Sequence, residues 1–189
     1  MDFWTLEEYK QFIVYVDNPM YKMIFELFFF TGLRCGELLA LTYNDIDTEK
    51  GILTVNKNLA SVKGKTIIQT PKTPKSSRKI TLPRFVVEHL QEYVKQLYGY
   101  KPNDRLFIIT KNMIAKTMSK YCKVSGIKKI RIHDLRHSHA SLLIHLGFTP
   151  TLIADRLGHE KIETTLNTYG HLYPSKQNEV AETLEKIMQ

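Results

Sequence analysis

Side chains of the kinds that grip a phosphate lie where predicted helices begin or end. Arg34 follows an apolar segment that closes at a glycine, so its guanidinium lies near the interior and needs an anionic partner. His133 and Arg136 are three residues apart and share one face of a helical turn, where an imidazole and a guanidinium can clamp an anion. His159 stands at a further helix end. Together these residues favour a site for a phosphate group.

Each of these residues also has a plainer interpretation. Arg34 could form a buried ion pair with Glu37, three residues on. His133 and His137 have the i, i+4 spacing of metal ligands, although no Glu lies between them as in HExxH and no Cys or carboxylate is spaced to complete a site. A lone histidine at a helix end, such as His159, is usually an ordinary surface or C-terminal residue. Taken singly, these residues leave the chemistry open.

Four short segments remove most of this ambiguity when they are taken in order. They are 31–38 (TGLRCGEL), 133–136 (HDLR), 157–159 (LGH) and 168–172 (TYGHL). In order and spacing they resemble the signature of the tyrosine recombinase, or phage integrase, family, and the resemblance is greatest to integrases of temperate phages and conjugative transposons. It extends over essentially the whole chain. It implies a catalytic domain, residues 1–189, with an α+β fold that is mainly helical and carries a small three-stranded antiparallel sheet.

The resemblance implies an enzyme that cuts and rejoins DNA through a covalent 3′-phosphotyrosyl intermediate and so integrates or excises a mobile element. Tyr169 then matches the nucleophile. Arg34 and Arg136 match the arginines that clamp the nonbridging oxygens of the scissile phosphate, a task that suits the guanidinium fork. His159 matches the position that donates a further hydrogen bond to the phosphate, and His133 the position that assists proton transfer around the nucleophile.

Three further assignments follow from the same resemblance. Lys72 matches the hairpin lysine that protonates the leaving 5′ oxygen, although Lys75 and Lys79 are close enough in the chain to compete for that role. Glu37 matches an acidic position that orients the first arginine. A second tyrosine, Tyr173, precedes a proline, and we interpret it as a packing or turn residue.

This chemistry implies neither a cofactor nor a metal ion. A phenol has a pKa of about 10 and needs a cationic pocket to attack as the phenolate, which Arg34, Arg136 and Lys72 can provide. Exchanging a phosphodiester for a phosphotyrosyl ester conserves bond energy, so ATP is not implied. The sequence has no GxxxxGK[ST] loop, in agreement with this expectation.

The chain is basic, with a formal net charge of +8 and a pI near 9.4. Such an excess favours a polyanionic partner, because phosphate contacts release counterions from nucleic acid. Residues 61–84 include seven basic side chains and no acidic one, and residues 111–136 include eight against a single Asp. Basic runs are often only solvated faces. We nevertheless predict a surface for double-stranded DNA that includes Lys63, Lys65, Lys75, Arg78, Lys79, Lys128, Lys129 and Arg131.

The elements that position these residues can be predicted from apolar spacing. A capping box at Thr5 and Glu8 opens the first helix, over about 5–16. Helical periodicity predicts further helices at about 19–30, 36–41, 87–97, 114–121, 136–146, 150–157 and 178–189. Between residues 45 and 82 the period becomes strand-like and predicts strands at 52–55, 66–69 and 78–82, which we expect to form one antiparallel sheet.

The length of 189 residues fits one domain. The sequence shows neither a membrane span nor a secretory signal, so we expect a cytoplasmic protein.

Integrases that resemble it usually carry a DNA-clamping helical domain before the catalytic one. We expect that domain to be absent here and DNA binding by this chain alone to be weak. We expect a monomer in isolation and a tetramer on synapsed DNA sites, with an accessory directionality protein as an optional partner.

Three other functions compete with the recombinase. A type IB topoisomerase shares the tyrosine attack but relaxes supercoils as a monomer, and the contexts of the first arginine and of the Leu-Gly-His segment favour the recombinase. A DNA-binding module that no longer cuts would not need the full catalytic set. A metal-dependent nuclease needs clustered carboxylates, which the sequence lacks.

Overall fold

The computed structural model describes residues 2–62, 65–70, 76–173, 181–182 and 184–186. In these ranges the chain is mainly helical and carries small antiparallel sheets, so the predicted α+β class is confirmed. None of the helices in the described ranges is long and apolar enough to cross a membrane.

The first helix begins at the predicted side-chain cap, and the second ends at the predicted glycine. Helix α1, Leu6–Ile13, opens with a capping box in which Thr5 Oγ1 accepts from the Glu8 N–H at 3.2 Å and Glu8 Oε2 accepts from the Thr5 N–H at 2.8 Å. Helix α2, Pro19–Thr31, ends at Gly32, whose φ of 66° lies in the left-handed region. Nearly every residue in the middle of α2 is buried, so this helix forms the centre of the main apolar core.

Two antiparallel sheets follow the short helix α3, Cys35–Ala40. The first has the order β1-β2-β5, where the strands are β1 (Ile46–Asp47), β2 (Ile52–Val55) and β5 (Arg78–Thr81). The second pairs β3 (Asn58–Val62) with β4 (Lys65–Gln69).

The three-stranded sheet is confirmed, but its predicted membership was wrong. The predicted strand at 66–69 pairs with β3, a strand that was not predicted, and β1 completes the first sheet. The segment that forms β3 lacks a clear apolar alternation, so its pairing depends on the hairpin and on its contact with α3. Strand β5 alternates as a half-buried strand should, with Arg78 and Ile80 buried and Lys79 and Thr81 exposed.

Five more helices complete the described fold. They are α4 (Arg84–Lys95), α5 (Lys111–Ser125), α6 (Asp134–His145), α7 (Pro150–Leu157) and α8 (Ile162–Tyr169). The first four lie where helical periodicity predicts them. Helix α8 was missed, because its three threonines lower the helix propensity and its apolar residues are few. Of the predicted C-terminal helix, residues 181–182 and 184–186 are helical, and the remainder lies outside the described residues.

A second, smaller apolar cluster lies beside the main core. It is built from Ala140 and Ile144 of α6, Ile153 and Leu157 of α7, and Tyr169 at the end of α8. Because three helices contribute to it, this cluster fixes the tyrosine ring relative to α6 and α7.

Candidate active site

Arg34 lies between the turn that ends α2 and the first residue of α3. Its Nη1 donates to Glu37 Oε1 at 2.9 Å, and its Nη2 donates to the Gly158 carbonyl at 3.3 Å. The Arg34 side chain is still 37% exposed. The plainer interpretation, an ion pair with Glu37, is therefore correct as a contact, and it leaves part of the guanidinium within reach of an anion.

Glu37 binds a second arginine, Arg78, from strand β5. Arg78 Nη1 and Nη2 donate to Glu37 Oε1 and Oε2 at 3.0 and 2.9 Å, a two-point contact between side chains that are 6% and 5% exposed. Burial by itself raises the pKa of the Glu37 carboxyl, but the hydrogen bonds and charge of Arg78, together with Arg34, hold that pKa below its usual value. Glu37 is thus a fixed anion shared by two arginines.

Arg136 lies deeper than Arg34, with 3% of the residue exposed. Its Nη1 donates to the Gly32 carbonyl and its Nη2 to the Leu157 carbonyl, both at 2.7 Å. Burial and the nearby charges of Arg34 and Arg78 lower the pKa of Arg136 to about 9, so it is still protonated at neutral pH. Carbonyl oxygens orient this guanidinium without cancelling its charge, which leaves the surroundings strongly positive.

The Leu157–His159 segment ties these groups together after α7. Gly158 has a φ of 69°, which ends the helix and turns the Leu157 carbonyl to Arg136 and its own carbonyl to Arg34. His159 Nδ1 lies 2.7 Å from Thr165 Oγ1 of α8. Burial, followed by the charges of the arginines, lowers the pKa of His159 to about 4, so its imidazole is neutral at pH 7.

Tyr169 is the last residue of α8 and is 1% exposed. Its hydroxyl lies 2.7 Å from Nδ1 of His137 on α6. Burial raises the pKa of Tyr169 to about 12, and the charge of Arg136 opposes that rise. Tyr173 lies at the next turn, where its hydroxyl donates to the Phe148 carbonyl at 3.4 Å, as expected of a turn residue.

His133 is the residue before the first turn of α6, and its ring meets the His137 ring edge-on at 5.0 Å. Burial, then the charge of Arg136, lowers the pKa of His133 below its usual value. The structure therefore gathers six of the residues named from sequence into one region. These are Arg34, Glu37, His133, Arg136, His159 and Tyr169.

Several predicted residues cannot be placed at this site. Lys72, Lys63 and Lys75 lie outside the described residues, and of Lys65 only the backbone in β4 is described.

The remaining members of the predicted DNA surface divide by exposure. Arg78 is buried against Glu37, where it holds the site together and does not present a surface charge. Lys79 and Lys129 are exposed. Lys128 is paired with Glu8 at 3.2 Å, and the exposed Arg131 is paired with Asp134.

A groove of about 1140 Å³ lies between α5 and the start of α6, where His133 and Asp134 line it. Its wall includes the cations Lys111, Lys116, Lys129 and Arg131, and it reaches His133. A groove with four cations in its wall, ending at His133, has the electrostatic character of a nucleic-acid surface.

Sequence reasoning missed the roles of three residues. His137 was considered only as a metal ligand, yet it contacts Tyr169; Thr165 anchors His159; and Arg78 was assigned to the DNA surface. The burial of Arg78 could have been predicted from the sequence, because strand alternation places it on the same face as the buried Ile80. The described residues contain no group of three or more His, Cys, Asp or Glu side chains that could share a metal ion.

Comparison with known families gives one match over most of the chain. The model of the phage integrase family matches residues 3–176. The ICEBs1 integrase of Bacillus subtilis is 36% identical over 203 residues, which cover 100% of this chain and 55% of that protein. The integrase of Staphylococcus phage L54a is 31% identical and covers 84% of this chain and 49% of its own length. The chain thus spans about half the length of these curated relatives.

Solved structures show the same fold. The Tn1549 transposon integrase in complex with a circular intermediate DNA superimposes with a TM-score of 0.81 at 23% identity, over 100% of this chain and 66% of that chain. The XerA recombinase gives a TM-score of 0.73 at 22% identity, over 100% of this chain and 66% of that chain.

Proposed function

The chain belongs to the phage integrase family, and we propose that it is the DNA-cleaving catalytic domain of a tyrosine-type site-specific recombinase that integrates or excises a mobile element. One observation carries the proposal. Arg34, Arg136 and the segment that holds His159 meet through the carbonyls of Leu157 and Gly158, close to Tyr169. Two guanidinia that are oriented by backbone oxygens and only partly neutralised suit a phosphodiester.

In this proposal the scissile phosphate binds between Arg34 and Arg136, which neutralise its nonbridging oxygens and the charge that builds up during attack. The Tyr169 oxygen forms a bond to phosphorus, and the bond from phosphorus to the 5′ oxygen breaks. The product is a 3′-phosphotyrosyl ester and a free 5′-hydroxyl. Lys72 is the proposed donor of the proton that the 5′ oxygen takes up. Rejoining reverses these steps, so no external energy source is required.

The proposed substrate is double-stranded DNA that lies along the basic groove beside α5. Complexes of structural neighbours with DNA, such as the Tn1549 integrase with its circular intermediate, support this partner. We further propose that recombination takes place in a tetramer on two synapsed sites in the cytoplasm, that the isolated chain is monomeric, and that an accessory protein can set the direction of the reaction.

The test uses a pool of nicked duplexes with randomised arms, in which cleavage releases a short fragment and so traps the covalent adduct. The chain is incubated with the pool in chelator, and adducts are separated on a denaturing gel and sequenced. We expect a protein–DNA adduct for the unaltered chain and none for Tyr169→Phe, while Tyr169→Phe binds DNA within a few-fold of the unaltered chain, because phosphate contacts dominate affinity. Tyr173→Phe is the matched control and should form the adduct.

Arg34→Lys and Arg136→Lys should each lower the cleavage rate about 100-fold or more, because an ammonium does not reproduce a two-point contact to phosphate. Arg84→Lys, at an exposed arginine of α4, should leave the rate unchanged. An adduct that persists in Tyr169→Phe and disappears in Tyr173→Phe would assign the nucleophile to Tyr173. Cleavage without an adduct, and only with a divalent ion, would favour a nuclease instead.

A further inference from the structure

The hydroxyl of Tyr169 has a single hydrogen-bond partner among the described residues, Nδ1 of His137 at 2.7 Å. His137 lies in the first turn of α6, next to Arg136, and its side chain is 14% exposed. Adjacent helical residues point about 100° apart. Arg136 can therefore reach the carbonyls of Gly32 and Leu157 while His137 faces α8.

We propose that His137 is the group that accepts the proton of Tyr169 during strand cleavage and returns it during rejoining, an inference that rests on the proposed recombinase function. His137 is then a catalytic residue in its own right, and His133 supports it from the adjoining turn.

The charge of Asp134 favours the tautomer that this role needs. Its Oδ1 lies 4.0 Å from Nε2 of His137, on the side of the ring opposite to Tyr169. A carboxylate on that side favours the proton on Nε2 and leaves the lone pair of Nδ1 for the tyrosine O–H. Asp134 is itself anchored by Arg131, whose Nη2 donates to Asp134 Oδ1 at 2.8 Å. The imidazole of His137 thus has the phenol of Tyr169 at hydrogen-bond distance on one side and a carboxylate at 4.0 Å on the other.

The surroundings keep His137 neutral before attack. Burial is the first cause and the neighbouring His133 the second of a pKa below the usual histidine value. The charged and titratable groups that face His137 from its own helix and the adjoining elements are Asp134, Arg131, His133, Arg136, His159 and Tyr169. After transfer, the imidazolium gains the attraction of the Asp134 carboxylate.

The proton and electron balance is complete. The Tyr169 O–H bond breaks and its proton joins His137 Nδ1, while the phenolate oxygen bonds to phosphorus. The 5′ oxygen leaves with the electron pair of its bond to phosphorus and takes a proton from the donor proposed above, Lys72. On rejoining, the 5′-hydroxyl oxygen bonds to phosphorus and its proton returns to Lys72, while the bond from phosphorus to the Tyr169 oxygen breaks and the departing phenolate recovers its proton from His137.

The first test is the pH dependence of single-turnover cleavage on a nicked duplex recovered from the pool. In the unaltered chain the rate should fall at acid pH as His137 becomes protonated. His137→Asn places a carboxamide oxygen near Nδ1 and can accept the same hydrogen bond without taking the proton. His137→Asn should lower the cleavage rate about 100-fold and abolish the acid limb of the pH profile, that is, the fall in rate at acid pH. His137→Ala should have the same two effects.

His145→Asn is the matched control, since His145 is an exposed histidine of the same helix, and it should behave as the unaltered chain. A role in positioning alone predicts the opposite result for His137→Asn, a rate within about threefold of the unaltered chain and an intact acid limb; that result overturns the proposal. Loss of the acid limb in His133→Asn but not in His137→Asn overturns it as well and assigns the proton to His133.

The second test needs no DNA. Nitrogen-15 NMR of the full chain with labelled histidine should show His137 neutral at pH 7 and protonated on Nε2, with the Nδ1 signal shifted in Tyr169→Phe. A proton on Nδ1 overturns the proposal even if the chain cleaves DNA. If NMR gives the expected tautomer but the unaltered chain forms no adduct, the recombinase function fails, and the proton-transfer role fails with it.

Discussion

A single carboxylate, that of Glu37, organises two of the arginines at the site. Arg34 and Arg78 both contact it, and the carboxylate is almost completely buried. Arg136 is held by carbonyl oxygens and does not share this neutralisation. The site can therefore be rigid and positive at once. Glu37 anchors Arg34 and Arg78, and the positive charge that it does not neutralise is available for a phosphate.

This arrangement predicts a large effect of Glu37→Gln on stability. The substitution leaves the buried Arg78 without its counter-charge, and removing one partner of a buried pair costs about 3–5 kcal/mol. We expect the free energy of unfolding, measured in urea, to be about 3–5 kcal/mol lower in Glu37→Gln than in the unaltered chain. Glu88→Gln, which removes the carboxylate that binds the exposed Arg84, is the matched control and should change it by less than about 1 kcal/mol. Equal effects of the two substitutions would contradict the role given to Glu37.

The same pair gives the sign of a pH effect. The pKa of Glu37 is lowered in the folded chain, so its contribution is fully present above the unfolded-state value of about 4.3 and is lost as the pH falls through the lower folded-state value. The stability difference between the unaltered chain and Glu37→Gln should therefore shrink only in acid.

The turn between α7 and α8 connects the arginines of the site to the helix that carries Tyr169. Gly158 adopts a left-handed conformation, and a Cβ added there would lie 3.0 Å from Cδ and Nη1 of Arg78. The turn thus needs glycine both for its backbone and for the closeness of the Arg78 side chain. The carbonyls of Leu157 and Gly158 in this turn accept hydrogen bonds from Arg136 and Arg34, and the chain then continues into α8, which carries Tyr169.

Gly158→Ala should therefore affect cleavage as well as stability. Gly126→Ala is the matched control, because Gly126 has a φ of 71° after α5 and an added Cβ would meet nothing within 4 Å. Both substitutions should cost about 1–2 kcal/mol of unfolding free energy from backbone strain. Only Gly158→Ala should slow cleavage beyond what partial unfolding explains, and equal cleavage rates in the two variants would show that the turn does not position the arginines.

Sequence patterns predict an element well when it carries its own boundary signals. Helix α1 has its cap at Thr5, helix α2 ends at Gly32, and helix α7 runs from Pro150 to the turn at Gly158. Each of these signals lies in the same short segment as the apolar periodicity of its helix. Strand β3 has no comparable signal, because its partner strand and α3 determine its place. The residues of the candidate site were predicted from motif spacing, whereas the contact of Tyr169 with His137 and not with His133 depends on where α8 approaches α6.

The net charge of +8 predicts DNA binding that weakens steeply with salt. Lys116 and Lys129 are exposed in the groove wall, and replacing both with Gln should reduce the slope of log affinity against log salt by about two. Lys50 and Lys95 are exposed lysines paired with acids outside that wall, and the corresponding double substitution should leave the slope unchanged. Binding measured from low to moderate salt distinguishes the two, and an equal decrease in both would mean that the groove is not the path of the DNA.

The nearly complete cover over Tyr169 has a consequence for any chromosome that this basic protein meets. An attack that is not followed by rejoining leaves a broken strand attached to protein, which is a lesion for the cell. If the hydroxyl were always accessible, every chance encounter with DNA would carry that risk. Under the proposed function, the burial of the Tyr169 hydroxyl means that contact with DNA is not by itself sufficient for an accidental break. A net charge that favours contact with DNA is then compatible with genome integrity.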